Sequence, residues 1–178
     1  NDPWKGTGHL HDITIVTPTF RHSKLIGFFA CTAHVVDIGG RGFGPDAREL
    51  YEEGLFIPLL KLFAQGEANK VLISILRNNV READQVIGDI FSLSACNDVG
   101  ARRLLDMMDE FELDGLQDLA EFIFTNSAAA TAECLTRLPE GATATNSMTL
   151  DGYDEPVTLA VTLTVEGGNI VADFTGTS

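Results

Sequence analysis

Positive charge is scarce in this chain. Only 12 Lys and Arg stand against 26 Asp and Glu among 178 residues, a net charge of −14. So acidic a surface repels phosphate backbones and anionic lipid headgroups, which argues against nucleic-acid and membrane partners. Long apolar runs are missing as well: none reaches the roughly 18 residues of a membrane span, and the start is not signal-like. Cysteine is sparse. Cys31, Cys96 and Cys134 lie far apart with no Cys-x-x-Cys, and an odd count without a framework points to reduced thiols in a cytoplasm. No internal repeat, low-complexity segment or Walker A Lys-Ser/Thr occurs.

What is present is ordinary globular composition, 44% hydrophobic and 21% charged, with enough length for one core or a core plus a helical appendage. The chain opens on Asn1-Asp2-Pro3-Trp4 without an initiator Met and closes on a polar turn after Asp173-Phe174. An internal fragment of a larger subunit is therefore expected.

Residues 1–11 read as a Gly-, Thr- and His-rich loop. Residues 12–20 (DITIVTPTF) and 25–34 (LIGFFACTAH) read as strands, the second apolar enough to be buried on both faces. A tight turn at Arg21-His22-Ser23-Lys24 makes them an antiparallel hairpin, with Asp12 opposite Ala33 or His34. A glycine-rich loop (38–46), a short helix (47–53) stopped by Gly54 and an apolar connector through Pro58 follow. Helical periodicity then covers 69–79, two stretches of 81–111 with a possible kink at Gly100, and 116–138 up to Pro139. Strands are expected at 147–151, 156–165 and 169–174, with a hairpin turn at Gly167-Gly168-Asn169. The class is α+β: an N-terminal β-hairpin, a central helical segment and a C-terminal antiparallel β-hairpin. The corresponding segments are 1–68, 69–138 and 139–178, as parts of one larger domain.

Two His-x-x-Asp pairs bracket the first hairpin: His9-Leu10-His11-Asp12 before it and His34-Val35-Val36-Asp37 at its exit. An antiparallel pairing brings them together at the end away from the turn. Imidazole and carboxylate are the ligand set of a catalytic Zn²⁺, Mn²⁺ or Fe²⁺, which lowers the pKa of bound water and polarises carbonyls. The plain alternative has His34 capping a strand beside Asp37, with His9 and His11 exposed in a loop. Duplication at one hairpin end favours the metal. His11 rivals His9 as ligand, because in an extended segment the two share a face. Gly39-Gly40-Arg41-Gly42-Phe43-Gly44 departs from G-x-G-x-x-G, since Pro45 takes the last position; it reads as a turn that passes close to metal or substrate. Cys31 lies an odd number of residues from His34 and so faces away from it. Glu52 and Glu53 could add a carboxylate to a site, but read first as a solvated helix end.

Taken in order, several motifs make the chain resemble the hydantoinase B/oxoprolinase family over essentially its whole length. They are Asn1-Asp2-Pro3-Trp4 with Gly8-His9-Leu10-His11-Asp12, Thr17-Pro18, Ala33-His34-Val35-Val36-Asp37-Ile38-Gly39-Gly40, and Tyr51-Glu52-Glu53-Gly54-Leu55 with Ile57-Pro58. Asn79-Val80-Arg81, Gly88-Asp89, Val99-Gly100-Ala101-Arg102-Arg103-Leu104 and Asp173-Phe174-Thr175-Gly176-Thr177-Ser178 complete them. Two departures stand out. His11 occupies a place where many relatives have Pro, and Ser127-Ala128-Ala129-Ala130-Thr131 is neutral where many carry Arg and Glu.

The resemblance implies a component of an ATP-dependent cyclic amidase of the hydantoinase or 5-oxoprolinase type, inactive alone. ATP would be bound by an A-type partner subunit in a hetero-oligomer, and the substrate would be a small molecule. It equally implies the alternative of an ATP-dependent ketone carboxylase component. A third alternative is a non-catalytic assembly domain. Metal ligands would come from three or all of His9, Asp12, His34 and Asp37, with Asp12 or Asp37 as ligand or catalytic base.

Overall fold

The computed structural model describes residues 1–178. Strand β1 (Asp12–Arg21) and strand β2 (Lys24–His34) pair antiparallel, with Asp12 opposite His34. Their turn places His22 and Ser23 at φ 48° and 65°, the left-handed pair that matches strand twist in a tight hairpin. The register shifts between Thr19 and Phe20. Beyond β1 the Val35 amide donates to the His11 carbonyl at 2.8 Å, extending the ladder past the strand ends.

The β2 residues are not buried on both faces. Exposure alternates along the strand, with Phe29, Cys31 and Ala33 half-buried and Phe28, Ala30 and Thr32 exposed. A single long helix explains this, because it covers one face only.

Helix α1 (Leu50–Glu53) is shorter than the sequence suggested and stops at Gly54. Two short strands follow, β3 (Phe63–Ala64) and β4 (Glu67–Ala68), a small hairpin that the apolar connector did not announce. Helix α2 (Lys70–Asn79) begins where the Asn69 side chain accepts from the Leu72 amide at 3.1 Å, the usual N-cap bond.

Helix α3 (Ala83–Glu110) runs unbroken for 28 residues. Gly100 is therefore not a kink. A Cβ there would lie 2.6 Å from ring carbons of Phe29, so glycine is required by the close approach of helix to strand. Three residues earlier, buried Asn97 donates to the Ile15 carbonyl at 3.0 Å and to Thr17 Oγ1 at 3.2 Å. These bonds fix the helix across β1. The core between hairpin and helices holds Leu10, Ile13, Val35, Ile38, Leu76, Val80, Val86, Ile87 and Ile90. Each fully buried Leu or Ile contributes about 1.5–3 kcal/mol relative to exposure.

The chain divides into two compact units, Asn1–Gly115 and Leu116–Ser178. In the second, helix α4 (Gln117–Leu135) has no buried residue. Strands β5 (Thr143–Leu150), β6 (Val157–Glu166) and β7 (Asn169–Asp173) form a three-stranded antiparallel meander at the three expected strand positions, with β5 beginning four residues earlier than the sequence suggested. Gly167 and Gly168 make the β6–β7 turn. No helix is long and apolar enough to cross a membrane.

Candidate metal centre

The candidate site lies wholly within the first unit, where the loop before β1 meets the exit of β2. Leu10 is fully buried, and its backbone is held on both sides: the amide donates to Glu53 Oε1 at 2.5 Å and the carbonyl accepts from Asn1 Nδ2 at 2.7 Å. Leu10 is turned into the core, while the rings of its neighbours His9 and His11 come together on the side of His34, with centroids 5.2 Å from it in each case.

Asp12 sits between two imidazoles. Its Oδ2 lies 3.4 Å from His9 Nε2 and its Oδ1 lies 3.4 Å from His34 Nδ1. Candidate ligand atoms of His9, Asp12 and His34 all fall within 4.8 Å of one another. Metal–ligand bonds of about 2.1 Å in a tetrahedron put ligand atoms about 3.4 Å apart. The two separations are of that size, each to a different oxygen of Asp12, and they are longer than good N–H···O hydrogen bonds. Side-chain exposures of 38% for His9, 25% for Asp12 and 43% for His34 leave the cluster open on one side. Two imidazoles and one carboxylate with an accessible position fit a divalent ion that also takes water or substrate.

His11 completes a three-imidazole cluster. Its ring stacks on His34 at 5.2 Å and 15°, and its centroid lies 6.2 Å from that of His9. It is 1% exposed, and neither ring nitrogen has a hydrogen-bond partner. Burial first, and then the neighbouring His34, push its pKa below the usual imidazole value.

Phe43 covers all three rings edge-on, at 5.8 Å from His9, 5.3 Å from His11 and 4.6 Å from His34. It is delivered by the glycine-rich loop, which is pinned to α1: the Arg41 amide donates to the Glu52 carbonyl at 2.9 Å. Gly40, at φ 58°, passes so close to α1 that a Cβ would overlap the backbone of Glu52 and Glu53. The same contact brings Glu53 up to His9 and His11, and these three form a second group with ligand atoms within 4.8 Å.

Asp37, the fourth residue singled out by sequence, belongs to neither group. Its carboxylate accepts from the Arg81 amide, and from the Arg81 guanidinium at 2.5 Å. Burial alone would raise its pKa, but bonds from the Arg81 amide and guanidinium and from the Gly39 amide hold it below the usual carboxylate range. Arg81 also donates to the Gly40 carbonyl at 2.5 Å. Asp37 thus ties the loop to the α2–α3 junction. Arg41 spends its guanidinium on Glu52 and the Asp46 carbonyl. Cys31 faces away from the imidazoles, and the neighbouring Cys96 thiol, with some burial, pushes its pKa up. A cavity of about 600 Å³ between β1 and residues 60–66 is lined by none of the imidazoles.

Sequence reasoning saw three of these side chains meeting and missed the roles of Phe43 and Glu53. The glycines around Phe43 were a usable signal, because they mark a backbone that must approach something closely.

The model of the hydantoinase B/oxoprolinase family matches residues 1–178, and the chain belongs to that family. A Pseudomonas sp. (strain NS671) protein, provisionally named as the B component of a D-/L-hydantoinase, is 33% identical over 189 residues, covering 100% of this chain and 32% of that protein. The crystal structure of an ATP-dependent caprolactamase from Pseudomonas jessenii superposes with a TM-score of 0.80 at 26% identity, covering 97% of this chain and 31% of that one. A nucleotide-free acetone carboxylase shares the fold, with a TM-score of 0.83 at 19% identity over 100% of this chain and 26% of the other. The chain spans about a third or less of the length of each of these relatives.

Proposed function

We propose that this chain is the metal-holding part of a component of an ATP-dependent cyclic amidase of the hydantoinase or 5-oxoprolinase type. The observation that carries the reading is the His9–Asp12–His34 group, with both imidazole–carboxylate separations at 3.4 Å. The hydantoinase and caprolactamase names of the relatives support the amidase chemistry.

An amide carbonyl is a weak electrophile, so ATP, handled by an A-type partner subunit, would activate its oxygen by phosphorylation. A bound Zn²⁺, Mn²⁺ or Fe²⁺ would supply water acidified toward a pKa of about 7 and a Lewis acid for the carbonyl. His9 and His34 each offer a neutral nitrogen, and Asp12 offers the one negative charge. Asp12 also fixes both rings, with one carboxylate oxygen facing each. Phe43 packs edge-on against all three rings and holds their mutual orientation. Asp37 acts as a positioning residue, holding the loop that carries Phe43. Three free thiols suit a reducing cytoplasm.

Metal analysis of the full-length protein in its complex tests the reading. At least one divalent ion per chain is expected, and His34→Ala should lose the ion held at this position while the fold persists by circular dichroism. A metal-free wild-type complex that turns over would overturn it. Turnover of a hydantoin, a lactam or 5-oxoproline, set against acetone plus bicarbonate, separates amidase from carboxylase.

A further inference from the structure

We propose that His11, His9 and Glu53 form a second divalent-cation position beside the His9–Asp12–His34 position, so that the centre holds two ions that share His9. The proposal rests on the metal reading given above and extends it.

Ligand atoms of His9, His11 and Glu53 lie within 4.8 Å of one another, the same closeness as in the first group. The second observation is His11 itself. It is 1% exposed, and both Nδ1 and Nε2 lack a partner. Buried polar atoms are almost always hydrogen-bonded, and an exception calls for a ligand or a functional role. His9 shows the same feature on one side only: Nε2 faces Asp12, while Nδ1 is buried without a partner. Glu53 commits Oε1 to the Leu10 amide, which fixes the carboxylate and leaves Oε2 for a cation. Two imidazoles and one carboxylate favour Zn²⁺ or a neighbouring transition ion over Ca²⁺ or Mg²⁺.

With both positions filled, His9 becomes a bridging imidazolate, one nitrogen to each ion. Its ring proton leaves to solvent when the second ion binds. Asp12 and Glu53 then supply one negative charge to each ion.

Equilibrium dialysis of the chelator-stripped full-length protein in its complex against Zn²⁺, read by elemental analysis, provides the test. Wild type should take up two equivalents. His11→Leu and Glu53→Gln should each take up one; Gln keeps an acceptor for the Leu10 amide, which guards against loss of fold. Asp12→Asn should also drop to one. His11→Leu should raise the melting temperature of the stripped protein, because it removes two unpaired buried nitrogens. If wild type takes up a single equivalent that His11→Leu and Glu53→Gln leave unchanged, the second position does not exist and the first reading survives. If wild type takes up none, both fall.

Discussion

Breaking the Asp37–Arg81 contact from its two sides should give unequal losses. Arg81→Ala removes the guanidinium but leaves the Arg81 amide, which also donates to Asp37. A hydrogen bond to a charged group is worth about 1.5–3 kcal/mol, and the exposure of the Arg81 side chain pulls this toward the lower end. That side chain is 61% exposed, whereas Asp37 is only 8% exposed. A loss of about 1–2 kcal/mol is expected for Arg81→Ala. Asp37→Ala instead leaves the Arg81 and Gly39 amides without their acceptor, while the exposed guanidinium keeps the Gly40 carbonyl and water, and should cost about 2–4 kcal/mol.

The pH dependence follows from the direction of the Asp37 shift. Its folded pKa lies below the unfolded value of about 3.9, held there against burial by the Arg81 and Gly39 bonds. The stabilisation is therefore complete above the unfolded pKa and disappears as pH falls through the folded one. Removing the guanidinium raises the folded pKa, so acid unfolding of Arg81→Ala should begin at higher pH than in wild type. Urea titrations at a series of pH values from neutral down to below the unfolded carboxylate pKa of about 3.9 measure both effects. Equal losses for the two variants, or an acid limb that Arg81→Ala leaves in place, would refute the reasoning.

Other outcomes follow from single contacts. Gly100→Ala forces a methyl against the Phe29 ring and should lower stability by about 1–3 kcal/mol despite its better helix propensity, as thermal melts will show. Asn97→Ala removes the two bonds to β1, with a loss of about 1–3 kcal/mol by denaturant titration. Gly40→Ala meets the α1 backbone at a positive φ. It should displace the loop bearing Phe43 and weaken Zn²⁺ affinity at least tenfold by calorimetry, an effect that an equally destabilised Gly100→Ala should not reproduce.

Much of the hairpin could be read from local chemistry. β-branched runs and a four-residue polar turn placed Asp12 opposite Ala33 or His34, and the observed partner is His34. What escaped was set by tertiary contact. Gly100 has the composition of a break, but its environment is the face of Phe29, a residue 71 positions earlier in the chain. Asp37 repeats the motif of Asp12, yet an arginine just ahead of α3 claims it. Glu53 reads as a solvated helix end because nothing nearby in sequence announces the Leu10 amide. β3 and β4 are two residues each, too short for periodicity to register.

The register shift between Thr19 and Phe20 separates the two ends of the hairpin. On the far side, Ile13 packed in the core and Asn97 gripping Ile15 hold the ladder by themselves. The bulge works as a slip joint. Lengthening or replacing the tip at His22-Ser23 should be absorbed there, so the tip offers a tolerant place for a tag or fluorophore that leaves the imidazoles undisturbed.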